Sequence, residues 1–157
     1  MSGIGSLGEL WIIEHLQKKY SMEIYLPLKD KGIDFIGTKN NVFYQMQVKT
    51  SMFQKDSYFW FDLHKSKMRY DDNIYYIFVC ATLPRRKFMG KKENYIAIPS
   101  KQIEQWVQNN EIATKKGNDD IMNIFIYPDF EKSEWHYRNK GKSLDLTTYW
   151  NNFDFLK

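Results

Sequence analysis

The sequence predicts an α/β sandwich around one central mixed sheet flanked by helices. Two observations lead there. Apolar residues recur at helical spacing at the amino-terminal end, after Ser100 and near the carboxyl-terminal end. Between and beside these segments lie short runs rich in β-branched and aromatic residues, bounded by turn residues. A leading helix, hairpin-like strands and then alternating helix and strand make a layered α/β arrangement.

Residues 2–20 read as a helix, with Ile4, Leu7 and Trp11 on a stripe that Ile12, Ile13 and Leu16 widen. Gly5 and Gly8 weaken a helix, so they predict close approach of another backbone or a late helix start. Residues 23–28 read as a strand that Pro27 ends, and 33–37 as a second strand. Asn40-Asn41 is a turn into a third strand over 42–51. In that strand Val42, Tyr44, Met46 and Val48 share an apolar face suited to a helix, and Phe43, Gln45, Gln47 and Lys49 share the other.

Residues 58–63 read as a fourth strand, 65–70 as a short basic link and 73–83 as a central strand. Residues 84–93 form a basic loop, and 95–98 a further strand. Ser100 is a good N-cap for a helix that turns Ile103, Trp106 and Val107 inward. Residues 121–127 read as the last strand. The tail reads as a helix with Leu146, Tyr149, Trp150 and Phe153 on one stripe.

A length of 157 residues fits one domain, and 43% hydrophobic residues are enough for a core, which argues against disorder. The formal charge of +4 is a mild bias compatible with polyanions. Cys80 is the only cysteine, so an intrachain disulfide is excluded and a reducing compartment is expected. The start shows no basic segment followed by an apolar run, and the longest apolar run, residues 74–81, is too short to span a bilayer. A cytoplasmic protein without membrane contact is the expectation. His15, His64 and His136 have no spacing suited to zinc, and neither a Ser-His-Asp signature nor a Gly-rich phosphate loop is present.

The chemistry-bearing residues are Asp34, Gln47 and Lys49. Strand alternation turns Gln47 and Lys49 to one side, and Asp34 on the neighbouring strand can meet them there. A carboxylate, an amide oxygen and an ammonium at one spot suit a hard cation beside a phosphate and an attacking water. Val48 offers a carbonyl to the same ion. Glu9 falls on the sheet-facing stripe of the leading helix, an odd place for a carboxylate without a partner. Arg85, Arg86, Lys87, Lys91 and Lys92 in the basic loop are candidate nucleic-acid contacts. The aromatic run from Tyr58 to Phe61 reads as core and edge packing in preference to a base-stacking platform.

Gly8-Glu9, Gly32-Ile33-Asp34 and Gln47-Val48-Lys49-Thr50 together resemble the PD-(D/E)XK nuclease superfamily, with its restriction-endonuclease-like fold. The Gln-x-Lys form is most similar to Mrr-type restriction enzymes and related uncharacterised bacterial nuclease-like domains. Two positions depart from the usual pattern: Gln47 stands for a carboxylate, and Gly32-Ile33 replaces the usual proline before the aspartate. The resemblance implies metal-dependent phosphodiester hydrolysis by a DNA endonuclease, with RNA left open as substrate. It implies Mg²⁺ or Mn²⁺ as cofactor and a homodimer as one assembly. By the resemblance Asp34, Glu9, Gln47 and Val48 hold the ion, and Lys49 acts on water or phosphate. The alternative is a catalytically inactive nucleic-acid-binding or assembly module of the same fold.

Overall fold

The computed structural model describes residues 4–28, 33–54, 57–81 and 93–156, apart from the side chains of 4–6, 54 and 93. Ten strands among these residues form two sheets that share one long strand. The chain opens with α1 (Ile4–Tyr20). It then forms β1 (Glu23–Tyr25), β2 (Phe35–Lys39), β3 (Val42–Gln54) and β4 (Tyr58–His64). After a short 3₁₀ turn come β5 (Ile74–Ala81), β6 (Glu93–Pro99) and α2 (Ser100–Gln108). The remainder is β7 (Thr114–Lys115), β8 (Asn118–Asp129), β9 (Glu134–Asn139) and β10 (Lys142–Asp145).

The first sheet runs β1-β2-β3-β5-β6. The β3–β5 pair is parallel and the others are antiparallel, so the sheet is mixed as expected. The second sheet runs β3-β4-β8-β9-β10, wholly antiparallel, with β7 on β8. β3 reaches both because its early residues pair with β2 and β5 and its last residues with β4. Asn40 and Asn41 both take positive φ, +53° and +63°, as a tight hairpin between β2 and β3 requires.

Two cores follow from this layering. Ile12, Leu16 and Tyr20 of α1 pack on Phe35, Met46, Val48, Ile77 and Val79. The opposite face of the first sheet presents Tyr76, Phe78 and Cys80 to Phe59, Phe61 and Ile124 of the second. Phe61 meets Phe78 edge to face at 5.0 Å between ring centres. The expected flanking helices are few: on this second face an antiparallel sheet gives most of the cover, with Ile103 of α2 at its margin. The reason is visible in β4 and β8, whose alternating side chains give each strand one buried face, as a sheet with one solvated side needs.

Other corrections are local. Residues 121–127 are not the last strand, because β9 and β10 follow. The tail is not a helix but two short 3₁₀ turns, Thr147–Tyr149 and Asp154–Leu156. Its backbone is drawn to β6 instead: Asn151 N–H donates to the Tyr95 carbonyl, and Trp150 bridges Ile96. Ser100 starts α2 without capping it. Its hydroxyl donates to the Asp71 carbonyl and accepts from the Asp71 N–H. No helix among the described residues is long and apolar enough to cross a membrane.

Candidate active site at the end of β2

Asp34 lies just before β2, on a bend, and not within the strand as expected. It grips β3 twice. Its N–H donates to the Met46 carbonyl at 2.9 Å, and its Oδ2 accepts from the Val48 N–H at 2.6 Å. The last β2–β3 pair is Phe35 with Met46, which leaves Asp34 opposite Gln47 where the pairing stops. The carboxylate thus takes the hydrogen bond that a further residue of β2 would have taken. The strand bearing Gln47 and Lys49 runs on past the last of its pairs with β2.

Gln47 pairs with Tyr76 and Lys49 with Phe78 on the parallel side of β3. Tyr76 and Phe78 belong to the inter-sheet core, so Gln47 and Lys49 share the face turned toward the second sheet. Both are half-buried. The Gln47 Oε1 atom is buried and has no hydrogen-bond donor among the described residues. An unsatisfied acceptor of this kind costs about 1–3 kcal/mol. It stands across the strand pair from a carboxylate and two residues from an ammonium.

Glu9 is half-buried on α1. The helix packs on the other face of β3, against Met46 and Val48. Gly8 sets how close it comes. A Cβ built there would lie 1.9 Å from Thr50 Oγ1, so only glycine permits the contact. The expected close approach at Gly8 is real, though it meets a side chain. The surroundings of Gly5 lie outside the described side chains. Thr50 Oγ1 is itself buried without a partner among the described residues. Glu9 and the Gln47–Lys49 pair therefore lie in layers on opposite sides of β3, and Asp34 stands at the strand end between them.

Gly32, Arg85, Arg86, Lys87, Lys91 and Lys92 lie outside the described residues. Among the described residues no group of three or more His, Cys, Asp or Glu side chains is placed to hold a metal. An ion near Asp34 would need amide and carbonyl oxygens as well. Cys80 is fully buried and its thiol is pushed well up by that burial, which removes it as a nucleophile. His64, Ser66 and Asp120 come together, yet the Ser66 hydroxyl donates to Asp120 at 2.9 Å, with His64 Nδ1 3.6 Å from the same carboxylate. The serine is tied to the acid and not to the imidazole, so this group caps the turn at 65–67 and is not a nucleophilic triad.

Sequence reasoning missed two contributors, the Asp34–Val48 hydrogen bond and the Gly8–Thr50 contact. The first has no signal in residue spacing. The second had half of one, because a glycine inside an apolar helical stripe marks a close approach without naming the partner.

Comparison of the sequence with protein-family models and with curated proteins gives no match. Among solved structures the chain is similar to a bacterial homing endonuclease, with 12% identity and a TM-score of 0.56 over 96% of this chain and 88% of that one. At this identity the likeness is one of fold: the chain shares a mixed α/β architecture with that structure.

Proposed function

We propose that this protein is a metal-dependent nuclease that hydrolyses phosphodiester bonds in DNA, with a PD-(D/E)XK site of the Gln-x-Lys kind. The observation that carries the reading is the buried Gln47 Oε1 opposite Asp34, which has no donor among the described residues. A buried acceptor of this kind takes its partner from an ordered water, an ion or a ligand, and an ion is the partner that the neighbouring carboxylate favours. Oxygen donors from Asp34, Gln47 and the Val48 carbonyl suit Mg²⁺ or Mn²⁺, which take oxygen ligands and keep several waters. Glu9 would join them around the end of β2. The ion, when bound, lowers the pKa of water and offsets charge on the phosphate.

The chain's own residues do the rest. Asp34 is held in place by Val48 N–H, so its free oxygen is aimed without reorganisation. Lys49, half-buried two residues beyond Gln47, neutralises a phosphate oxygen or orients the attacking water. The core of Tyr76 and Phe78 beside it keeps bulk water from one side, which strengthens that charge. The likeness to a homing endonuclease supports a nucleic-acid substrate.

The neutral Gln47 favours a second reading, a binding module that has lost catalysis. One assay separates the two. Purified chain is incubated with plasmid and linear DNA in Mg²⁺ and in Mn²⁺, beside Asp34→Asn and Lys49→Ala. Cleavage by wild type, lost on chelation and in both variants, supports the nuclease. Cleavage rates equal in wild type and Asp34→Asn overturn it.

A further inference from the structure

We propose that the outer face of the second sheet binds an unpaired nucleic-acid strand, with bases stacked on its aromatic rings. This surface is separate from the ion site and does not depend on it.

Alternation along β4 and β8 sends Phe59, Phe61, Ile124 and Ile126 into the core and the intervening residues outward. Outward positions on a sheet with one wet face are ordinarily polar. Here Asp62 and Asn123 are polar, but Tyr58, Trp60, Phe125 and Tyr127 beside them are aromatic. Their rings form one ladder: Tyr58 lies 5.5 Å from Phe125 and 5.4 Å from Tyr127, and Trp60 5.7 Å from Phe125. Trp60 remains 47% exposed. Tyr58, Phe125 and Tyr127 are half-buried around it, so Trp60 is the ring this face offers most openly to a ligand.

The cations beside it identify the occupant. The guanidinium of Arg138 lies 5.8 Å from the centre of the Tyr127 ring. Arg138 lines a hollow of about 500 Å³ together with Phe125 and Tyr127, and no carboxylate lines it; Lys140 and Lys142 border it while their ammoniums donate to the Thr114 and Asn110 carbonyls at 2.6 Å. Carboxylates share this face: Asp62 accepts from Trp60 Nε1 at 2.8 Å, Glu134 lies 3.2 Å from His136, and Asp129 and Glu131 line the neighbouring hollow on the other side of Arg138. A polyanion that enters the carboxylate-free hollow beside Arg138 brings its bases to the rings. Rings beside a cationic groove are the features of a single-strand platform. A duplex hides the faces of its bases in its own stack and offers the rings nothing to cover.

The platform also touches β3. The Trp60 N–H donates to Ser51 Oγ at 3.2 Å, two residues beyond Lys49. The readout is kept free of the ion by working in EDTA.

The test is fluorescence anisotropy of the full chain with a labelled oligothymidylate of about 15 nucleotides and with a duplex of equal length. Wild type is expected to hold the single strand more tightly than the duplex. Trp60→Ala should weaken single-strand binding roughly 5- to 100-fold, Trp60→Phe should keep most of it, and Arg138→Ala should make the salt slope shallower by about 0.7. Circular dichroism checks that each variant is folded. No single-strand binding at low salt, tighter binding of the duplex, or a folded Trp60→Ala that binds like wild type would each overturn the proposal. If Trp60→Ala does not fold, Arg138→Glu replaces it, and unchanged affinity in that variant overturns the proposal equally.

Discussion

Asp34 extends the β2–β3 ladder with its side chain: its Oδ2 accepts the Val48 N–H at 2.6 Å, one step past the last backbone pair. The same carboxylate is thus a structural cap and a candidate ion ligand, and the two roles respond differently to substitution. Asp34→Ala leaves the Val48 N–H unpaired and should cost about 1–3 kcal/mol in urea unfolding. Asp34→Asn keeps an acceptor and should cost less, yet it should lose Mn²⁺ binding by calorimetry. Equal destabilisation in both variants would mean that charge, and not the hydrogen bond, holds the cap.

Gln47 invites the opposite experiment. Replacing a buried acceptor that has no donor among the described residues by an apolar group of similar size removes a desolvation cost. Gln47→Leu should therefore raise stability by about 1 kcal/mol while abolishing function, as residues at working sites often do. Gln47→Glu should tighten Mn²⁺ binding. A loss of stability in Gln47→Leu would show that the amide is satisfied within the protein.

The Gly8–Thr50 contact predicts a size exchange. Gly8→Ala should gain about 1 kcal/mol of helix propensity but lose more, because a Cβ would sit 1.9 Å from Thr50 Oγ1. The net cost should be about 1–2 kcal/mol. Adding Thr50→Ala should return most of it, since the obstructing hydroxyl is gone. Thermal melts of the two single variants and the double variant read this as a coupling energy. Strict additivity would mean that α1 shifts freely over β3.

Acid titration addresses Asp120. The Ser66 backbone N–H, followed by its hydroxyl, holds the Asp120 carboxyl below the usual aspartate range. A depressed folded-state pKa contributes stability above the unfolded value, about 3.9, and that contribution is lost as pH falls through the lower folded value. Asp120→Asn should therefore flatten the acid limb of stability below about pH 4. Urea midpoints at stepped pH check it, and parallel curves for wild type and variant would count against the Ser66 bond.

Much of the first sheet was legible because its signals are local. Asn40-Asn41 announced a hairpin, and the split of Val42 through Lys49 into two faces located Gln47 and Lys49 on one of them. The tail misled because Leu146, Tyr149, Trp150 and Phe153 keep helical spacing while their backbone partners lie elsewhere on the chain. Asn151, at φ +48°, cannot continue a helix. The β9–β10 hairpin was readable in retrospect: Trp135 and Tyr137 alternate with His136 and Arg138, and Lys140-Gly141 turns with positive φ at both residues. The Asp34 cap was not readable at all, because it depends on where β2 stops, which the pairing partner decides. The basic loop around Arg85 lies outside the described residues.

β3 belongs to both sheets, and this constrains how the molecule opens. Phe35 and Met46 hold one end of it in the first sheet, and Phe53 and Phe59 hold the other in the second. Neither sheet can peel away without breaking rungs on the strand they share. Lys49 sits between those two anchorages, so motions that would blur its position are also motions that begin to unfold the protein. Amide hydrogen exchange along the middle of β3 should therefore track global unfolding, with no faster local opening at Val48.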